Sequence, residues 1–130
     1  CGRVDYPADV LDAFDFVIAS VHTRMGMNAT QMTDRVVKAL EDPHVTILGH
    51  PTGRLLLTRE GYPIDLDAVL DAAAARGVAV ELNADPHRLD LDWRVVRTAR
   101  AKGVRVSIGP DAHTIDGLDH TALGVGMARK

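Results

Sequence analysis

Short β-branched apolar runs alternating with amphipathic stretches of roughly ten residues predict an α/β chain with a parallel sheet and helical crossovers. Three observations carry this reading. The runs at 15–21, 45–49 and 78–82 are largely apolar, the first two as strands buried on both faces are, and 104–109 is a short β-branched run ending in Gly-Pro. The stretches between them repeat apolar residues at helical spacing, with Thr or Asp where a helix would start and Gly or Pro where it would stop. Their order is β-α-β-α-β-α-β-α, without repeat, linker or low-complexity segment.

Residues 5–14 predict a short helix with Pro7 in its first turn and Val10, Leu11 and Phe14 on one face. The first strand, 15–21, ends at His22, and 23–28 reads as a polar loop. Thr30 is placed to cap a helix through Leu40 that buries Met32, Val36, Ala39 and Leu40, and Pro43 closes it. The second strand ends at His50-Pro51, followed by a long loop over 52–63, a length often tied to function. Asp65 or Asp67 caps the next helix, with Leu66, Val69, Leu70, Ala73 and Ala74 on its apolar face and Gly77 at its end. The third strand carries Asn83 at its tip, and a helix capped by Asp90 or Asp92 presents Trp93, Val96 and Ala99 before Gly103. The fourth strand runs into Gly109-Pro110, then Asp111 and His113, and a last helix is expected over 118–129. Four βα units are about half of a (β/α) barrel, and an open doubly wound sheet has the same alternation. No Gly-rich phosphate fingerprint follows the first strand, which favours the barrel.

Composition narrows the class. At 130 residues with 46% hydrophobic and 25% charged, the chain suits one globular domain rather than a disordered tail. A net charge of −3 advertises no diffuse basic surface for nucleic acid. Cys1 is the only cysteine, which excludes an internal disulfide framework and suits a reducing cytoplasm. Neither a signal peptide nor a membrane-spanning run is present. The opening Cys-Gly-Arg, with no initiator methionine, suggests a piece of a longer protein.

His22, His50, Asn83 and the pair Asp111 and His113 all follow the last apolar residue of a predicted strand within a few positions. Parallel α/β folds bring those ends to one face. In extended backbone Asp111 and His113 point the same way, and carboxylate with imidazole suits Zn²⁺, Mn²⁺ or Fe²⁺. The gathering of these groups predicts a metal centre. Arg24, Arg54 and Arg88 lie in strand-to-helix loops of the same mouth and point to an anionic, phosphate-bearing substrate. Glu81 reads as a charge internal to its strand and paired with an arginine, His44 and His120 as surface residues, and His87 as a structural loop histidine. Ser20 and Ser107 lie within strands and neither has a nucleophile signature, so a metal-activated water is left as the nucleophile.

Four segments resemble one family. Phe16-Val-Ile-Ala-Ser-Val-His-Thr-Arg24, Ile47-Leu-Gly-His-Pro-Thr-Gly-Arg-Leu-Leu56, Glu81-Leu-Asn-Ala-Asp-Pro-His-Arg-Leu-Asp-Leu-Asp-Trp93 and Ile108-Gly-Pro-Asp-Ala-His-Thr114 are similar to the PHP (polymerase and histidinol phosphatase) superfamily. The Gly-His-Pro-Thr-Gly-Arg and Asn-x-x-Pro-x-Arg-Leu-Asp segments resemble its branch in the C-terminal domain of bacterial family X DNA polymerases. The resemblance implies a distorted seven-stranded (β/α) TIM-like barrel of which residues 1–130 are the C-terminal portion, its N-terminal strands and their His-x-His ligands lying outside this sequence. It implies three divalent metals, Mn²⁺ or Zn²⁺. His22 and His50 would share one with a glutamate, Asp111 would bind a second and His113 a third, with Arg54 and Asn83 near the substrate phosphate. The implied activity is phosphodiester hydrolysis at DNA 3′ ends, a 3′–5′ exonuclease serving repair, beside a polymerase domain in the same cytoplasmic parent chain. Asp85 and His87 stand where this branch is expected to carry Asn and Tyr. With only part of each metal shell, the segment alone is expected to bind metal weakly and to hydrolyse no DNA. Two alternatives stay open: a free-standing phosphatase acting on a small phosphomonoester such as histidinol phosphate, and an inactive PHP scaffold of a polymerase.

Overall fold

A computed structural model describes residues 2–130; Cys1, singled out above for its redox meaning, lies outside them. Four parallel strands, β1 (Val17–Ala19), β2 (Val45–Leu48), β3 (Ala79–Asn83) and β4 (Val106–Gly109), form one sheet in the order β1-β2-β3-β4. Preceding β1 is α1 (Ala8–Leu11); between the strands run α2 (Ala29–Leu40), α3 (Leu66–Arg76) and α4 (Trp93–Ala101). A 3₁₀ turn over Asp116–His120 leads into α5 (Thr121–Ala128). Strand order follows chain order with no reversal of winding, so the sheet has no switch point of the doubly wound kind and is consistent with part of a barrel.

The helices form where their ends are chemically marked. Asn28, rather than Thr30, caps α2: its side chain accepts from the Gln31 N–H and the Gln31 side chain returns to the Asn28 N–H, which satisfies two otherwise unpaired donors. Asp65 caps α3 and Asp92 caps α4 by single bonds, accepting from the Ala68 and Arg94 N–H groups. Gly77 ends α3 at φ +68°, a left-handed conformation that a side chain would strain. The core lies between α2, α3 and β3, where Met32, Val36, Leu40, Val69, Leu70, Val80 and Leu82 are buried.

Two expectations fail at the N-terminal edge. The helix over 5–14 shrinks to the single turn of α1, with no side-chain cap, and of its apolar face only Leu11 is buried. Short helices need a packing surface to hold them, and Val10 and Phe14 have none here. The run at 15–21 is not buried on both faces: Phe16, just before β1, is 60% exposed and Ile18 within it 47%. The cause is position, because β1 pairs only with β2 and its other side is open. A cleft of about 240 Å³ runs along that side, lined by Tyr6, Ile18, Ser20, His22 and Arg35 among others. In contrast, all five residues of β3 are buried.

Candidate metal and phosphate site

Strand register brings the predicted site residues to a common rim. Asn83 pairs with Gly109 at the ends of β3 and β4, and the Gly49 N–H just past β2 donates to the Ala19 carbonyl at the end of β1 (2.8 Å). Within each pair the ends are level; between the pairs Leu48 lies opposite Val80, so β3 continues to Asn83, and β4 to Gly109, beyond the end of β2 at the same side of the fold. The rings of His22 and His50 meet edge to face with centroids 5.2 Å apart. His22 is exposed, whereas His50 is buried.

His50 is held by Glu81, which is internal to its strand as expected but has a different partner from the arginine expected for it. Glu81 is buried, and no arginine pairs with it; its Oε2 accepts from the backbone N–H of His50 (2.6 Å) and from Asn83 Nδ2 (3.3 Å). Two glycines make the room. A Cβ on Gly109 would stand 2.6 Å from Glu81 Oε1, and one on Gly49 would be 2.5 Å from Ser20 Oγ and 3.6 Å from Glu81 Oε2. Burial raises the Glu81 pKa, and the His50 and Asn83 donors pull it back toward the charged form. The only signal in the sequence was a glycine closing each flanking strand.

A second buried carboxylate fixes the loop after β2. Asp90 is fully buried, and its Oδ2 accepts from the N–H groups of Thr52 (2.9 Å) and Gly53 (3.0 Å), the residues just beyond His50-Pro51. Tyr62 donates its hydroxyl to the Pro51 carbonyl (2.8 Å). Asp90 was read as a possible helix cap; Asp92 takes that role and Asp90 becomes the anchor of the loop.

The cationic residues separate into different roles. Arg54 donates Nε to the Arg88 carbonyl (2.9 Å) and Nη2 to the Leu89 carbonyl, so it braces the loop after β3. Arg88 sets its Nε 3.1 Å from Asp111 Oδ2. Arg24 is exposed at φ +54°. Asn83 is buried, its Nδ2 on Glu81 and its Oδ1 accepting from the Asp85 N–H (3.1 Å).

Asp111 and His113 do not share an extended segment. β4 stops at Gly109 and Asp111 is left-handed at φ +52°, so strand alternation no longer applies. The Asp111 carboxylate turns to Arg88, and His113 directs Nδ1 to the Asp111 carbonyl (2.7 Å), which leaves Nε2 unengaged by that bond. His44 is at the other end of the sheet, bonded through Nδ1 to Asp42 (2.8 Å) and Nε2 to Asp12 (2.9 Å), rather than simply solvated. His120 is half-buried rather than solvated, with an Nδ1 that is buried and unpartnered. His87 is the exposed loop residue expected, oriented through Nδ1 on Asp85 (2.9 Å).

The donor set fits a divalent metal in chemistry but not in number. His50 Nδ1 is buried without a hydrogen-bond partner, and burial together with the nearby Arg88 charge lowers the His50 pKa, keeping the imidazole in the neutral form that ligates metals. His22, His50 and Asp111 thus offer nitrogen and oxygen donors of the right kind. Among the described residues no three His, Cys, Asp or Glu side chains stand close enough to hold an ion by themselves. The fit is to part of a coordination shell. Backbone strain concentrates in the same place: of five non-glycine residues with positive φ, three are Arg24, His50 and Asp111.

Comparison with known proteins agrees with the motifs. The chain is 43% identical over 129 residues to the DNA polymerase/3′-5′ exonuclease PolX of Bacillus subtilis, a match covering 99% of this chain and 23% of that protein. A probable phosphatase of Caldanaerobacter subterraneus subsp. tengcongensis is 35% identical over 85 residues, 63% of this chain and 31% of the phosphatase. A probable phosphatase of Syntrophotalea carbinolica is 34% identical over 85 residues, 63% of this chain and 33% of its own length. No family model matches the chain. It spans about a quarter to a third of the curated relatives it matches, and these similarities bear out the resemblance to a PHP-like C-terminal domain of PolX.

Proposed function

We propose that this PHP-like chain is the C-terminal portion of a distorted (β/α)₇ barrel in a PolX-type polymerase, and that the completed barrel hydrolyses phosphodiesters at DNA 3′ ends. The observation that carries the reading is the edge-to-face meeting of His22 and His50 at the same rim as Asp111, with the His50 Nδ1 buried and unpartnered. The open, apolar side of β1 supports a sheet continued by further strands.

His22 and His50 would hold one metal, Asp111 a second and His113 a third, in each case with donors from elsewhere in the parent chain. When bound, such metals supply a water that is deprotonated near neutral pH and positive charge for the phosphate oxygens. The chain's own residues do the positioning. Glu81 orients His50 through its backbone N–H, Asp90 fixes the following turn, and Arg54 holds the loop that carries Arg88 toward Asp111. Arg88 balances the Asp111 carboxylate and would be the cation at that carboxylate available to a phosphate oxygen. Arg24, exposed at the same rim, is the second cation available to the substrate.

Metal analysis of the parent protein with and without His50→Ala tests this, read beside release of nucleotides from a 3′-labelled duplex. Loss of metal and of hydrolysis together is expected; unchanged metal content and hydrolysis would remove the basis of the proposal. Similarity to probable phosphatases over 63% of the chain favours a second reading, hydrolysis of a small phosphomonoester. A parent protein that cleaves histidinol phosphate efficiently and leaves DNA intact would select it.

A further inference from the structure

The net charge of −3 conceals an uneven distribution. Between Trp93 and Pro110 stand five basic residues and no acidic one. Two of the five are already engaged: Lys102 Nζ lies 2.6 Å from Asp71 and 3.4 Å from Asp67, and Arg105 donates to the Gly77 carbonyl (2.8 Å). The other three, Arg94, Arg97 and Arg100, recur at every third position of α4 and are exposed, while Val96 and Ala99 face the core. At 1.5 Å rise per residue they span about 9 Å.

Trp93 organises the start of this row. The guanidinium carbons of Arg94 and Arg97 lie 5.4 and 6.0 Å from its ring centroid. Stacking restrains two long side chains before any ligand arrives and leaves their outer edges free to donate. The Nε of Arg94 stands 3.5 Å from Asp92, a loose contact on a side chain that is 74% exposed.

We infer that α4 carries a track for the phosphodiester backbone of the duplex flanking the DNA end. The inference rests on the DNA reading above and adds a surface outside the metal site. Charge complementarity supplies the occupant. One strand of duplex DNA presents a phosphate about every 3.4 Å of helix axis, so the row is long enough for about three. Position supplies the direction. The cap of α4, Asp92, lies 4.0 Å from Arg54 Nη1 on the loop after His50, so the row starts beside the rim and leads away from it.

The test uses the full-length parent protein and its Arg94→Gln, Arg97→Gln, Arg100→Gln triple variant. Affinity for a fluorescent duplex is measured by anisotropy with metal chelated, from 50 to 200 mM salt. The slope of log affinity against log salt is expected to shrink by about two to three, and by about one in Arg97→Gln alone. Binding at the lowest salt is expected to fall at least tenfold, while Mn²⁺-supported hydrolysis of bis(p-nitrophenyl) phosphate is unchanged, which reports an intact fold and site. An unchanged slope in a protein that still binds and trims DNA overturns the track alone. A parent that binds no DNA overturns the track and the DNA reading together. If the variants lose affinity for polyglutamate but not for the duplex, the surface belongs to an acidic protein partner and the track is refuted.

Discussion

The two halves of the rim differ in who holds them. After β2 and β3, His50, Glu81, Asn83 and Asp90 are buried, and each is tied to the others or to the intervening loop by hydrogen bonds within this chain. After β1 and β4, His22, Arg24 and His113 are exposed, Asp111 alone being tied back to the loop after β3 through Arg88, and the flank of β1 is an apolar edge without a partner strand among the described residues. The lesson is that the central half of the site is pre-organised by local sequence, whereas the outer half presents its groups and waits for neighbouring structure to fix them.

Removing the anchor of the central half has the largest expected effect. Asp90→Ala leaves the Thr52 and Gly53 N–H groups without their acceptor and is expected to destabilise the chain by about 2–4 kcal/mol, read by urea unfolding. A loss below about 0.5 kcal/mol would mean that the central half is no better held than the outer one. On the outer half the expectation reverses. Phe16→Ser and Ile18→Thr are exposed-edge changes worth less than about 0.5 kcal/mol in this chain alone. In the parent protein, where further strands would cover them, they are expected to cost about 1–3 kcal/mol. Equal effects in both settings would contradict a continued sheet.

The smallest effect is a pH dependence at the far end of the sheet. Asp42 and then Asp12 raise the His44 pKa above its usual 6.5 by hydrogen bonding to the ring. A raised folded pKa means that the charged form is favoured in the native state, so this stabilisation is complete below about pH 6.5 and is lost as pH rises through the folded value. Unfolding measured at pH 6 and pH 8 should show the fall in the native chain and a flatter profile in His44→Gln.

Much of the architecture was legible in the sequence because the core strands and caps are local signals. Continuous apolar runs marked β2 and β3, and Asp65, Asp92 and Gly77 marked helix ends. The failures have a common cause. The run at 15–21 looks like a doubly buried strand, and residues 5–14 like a short helix, because of apolar residues that find no packing surface among the described residues. Proximity to strand ends anticipates that His22, His50 and Asp111 gather at one side of the fold, but the partners of Glu81 and Asp90 depend on close approach between segments 30 or more residues apart, which no local pattern reports. The Asp-x-His pair misled for a backbone reason: alternation holds only while the strand continues, and Asp111 has already turned left-handed.

The central claim is that His22 and His50, from different strand ends, serve a single metal ion. A double-mutant cycle on Mn²⁺ affinity, measured by calorimetry in the parent protein with His22→Ala, His50→Ala and both, reads this directly. Each single change should weaken binding at least tenfold, and the double variant should fall well short of the product of the two losses. Losses that multiply, or a single variant that binds Mn²⁺ as tightly as the native protein, would contradict a shared ion.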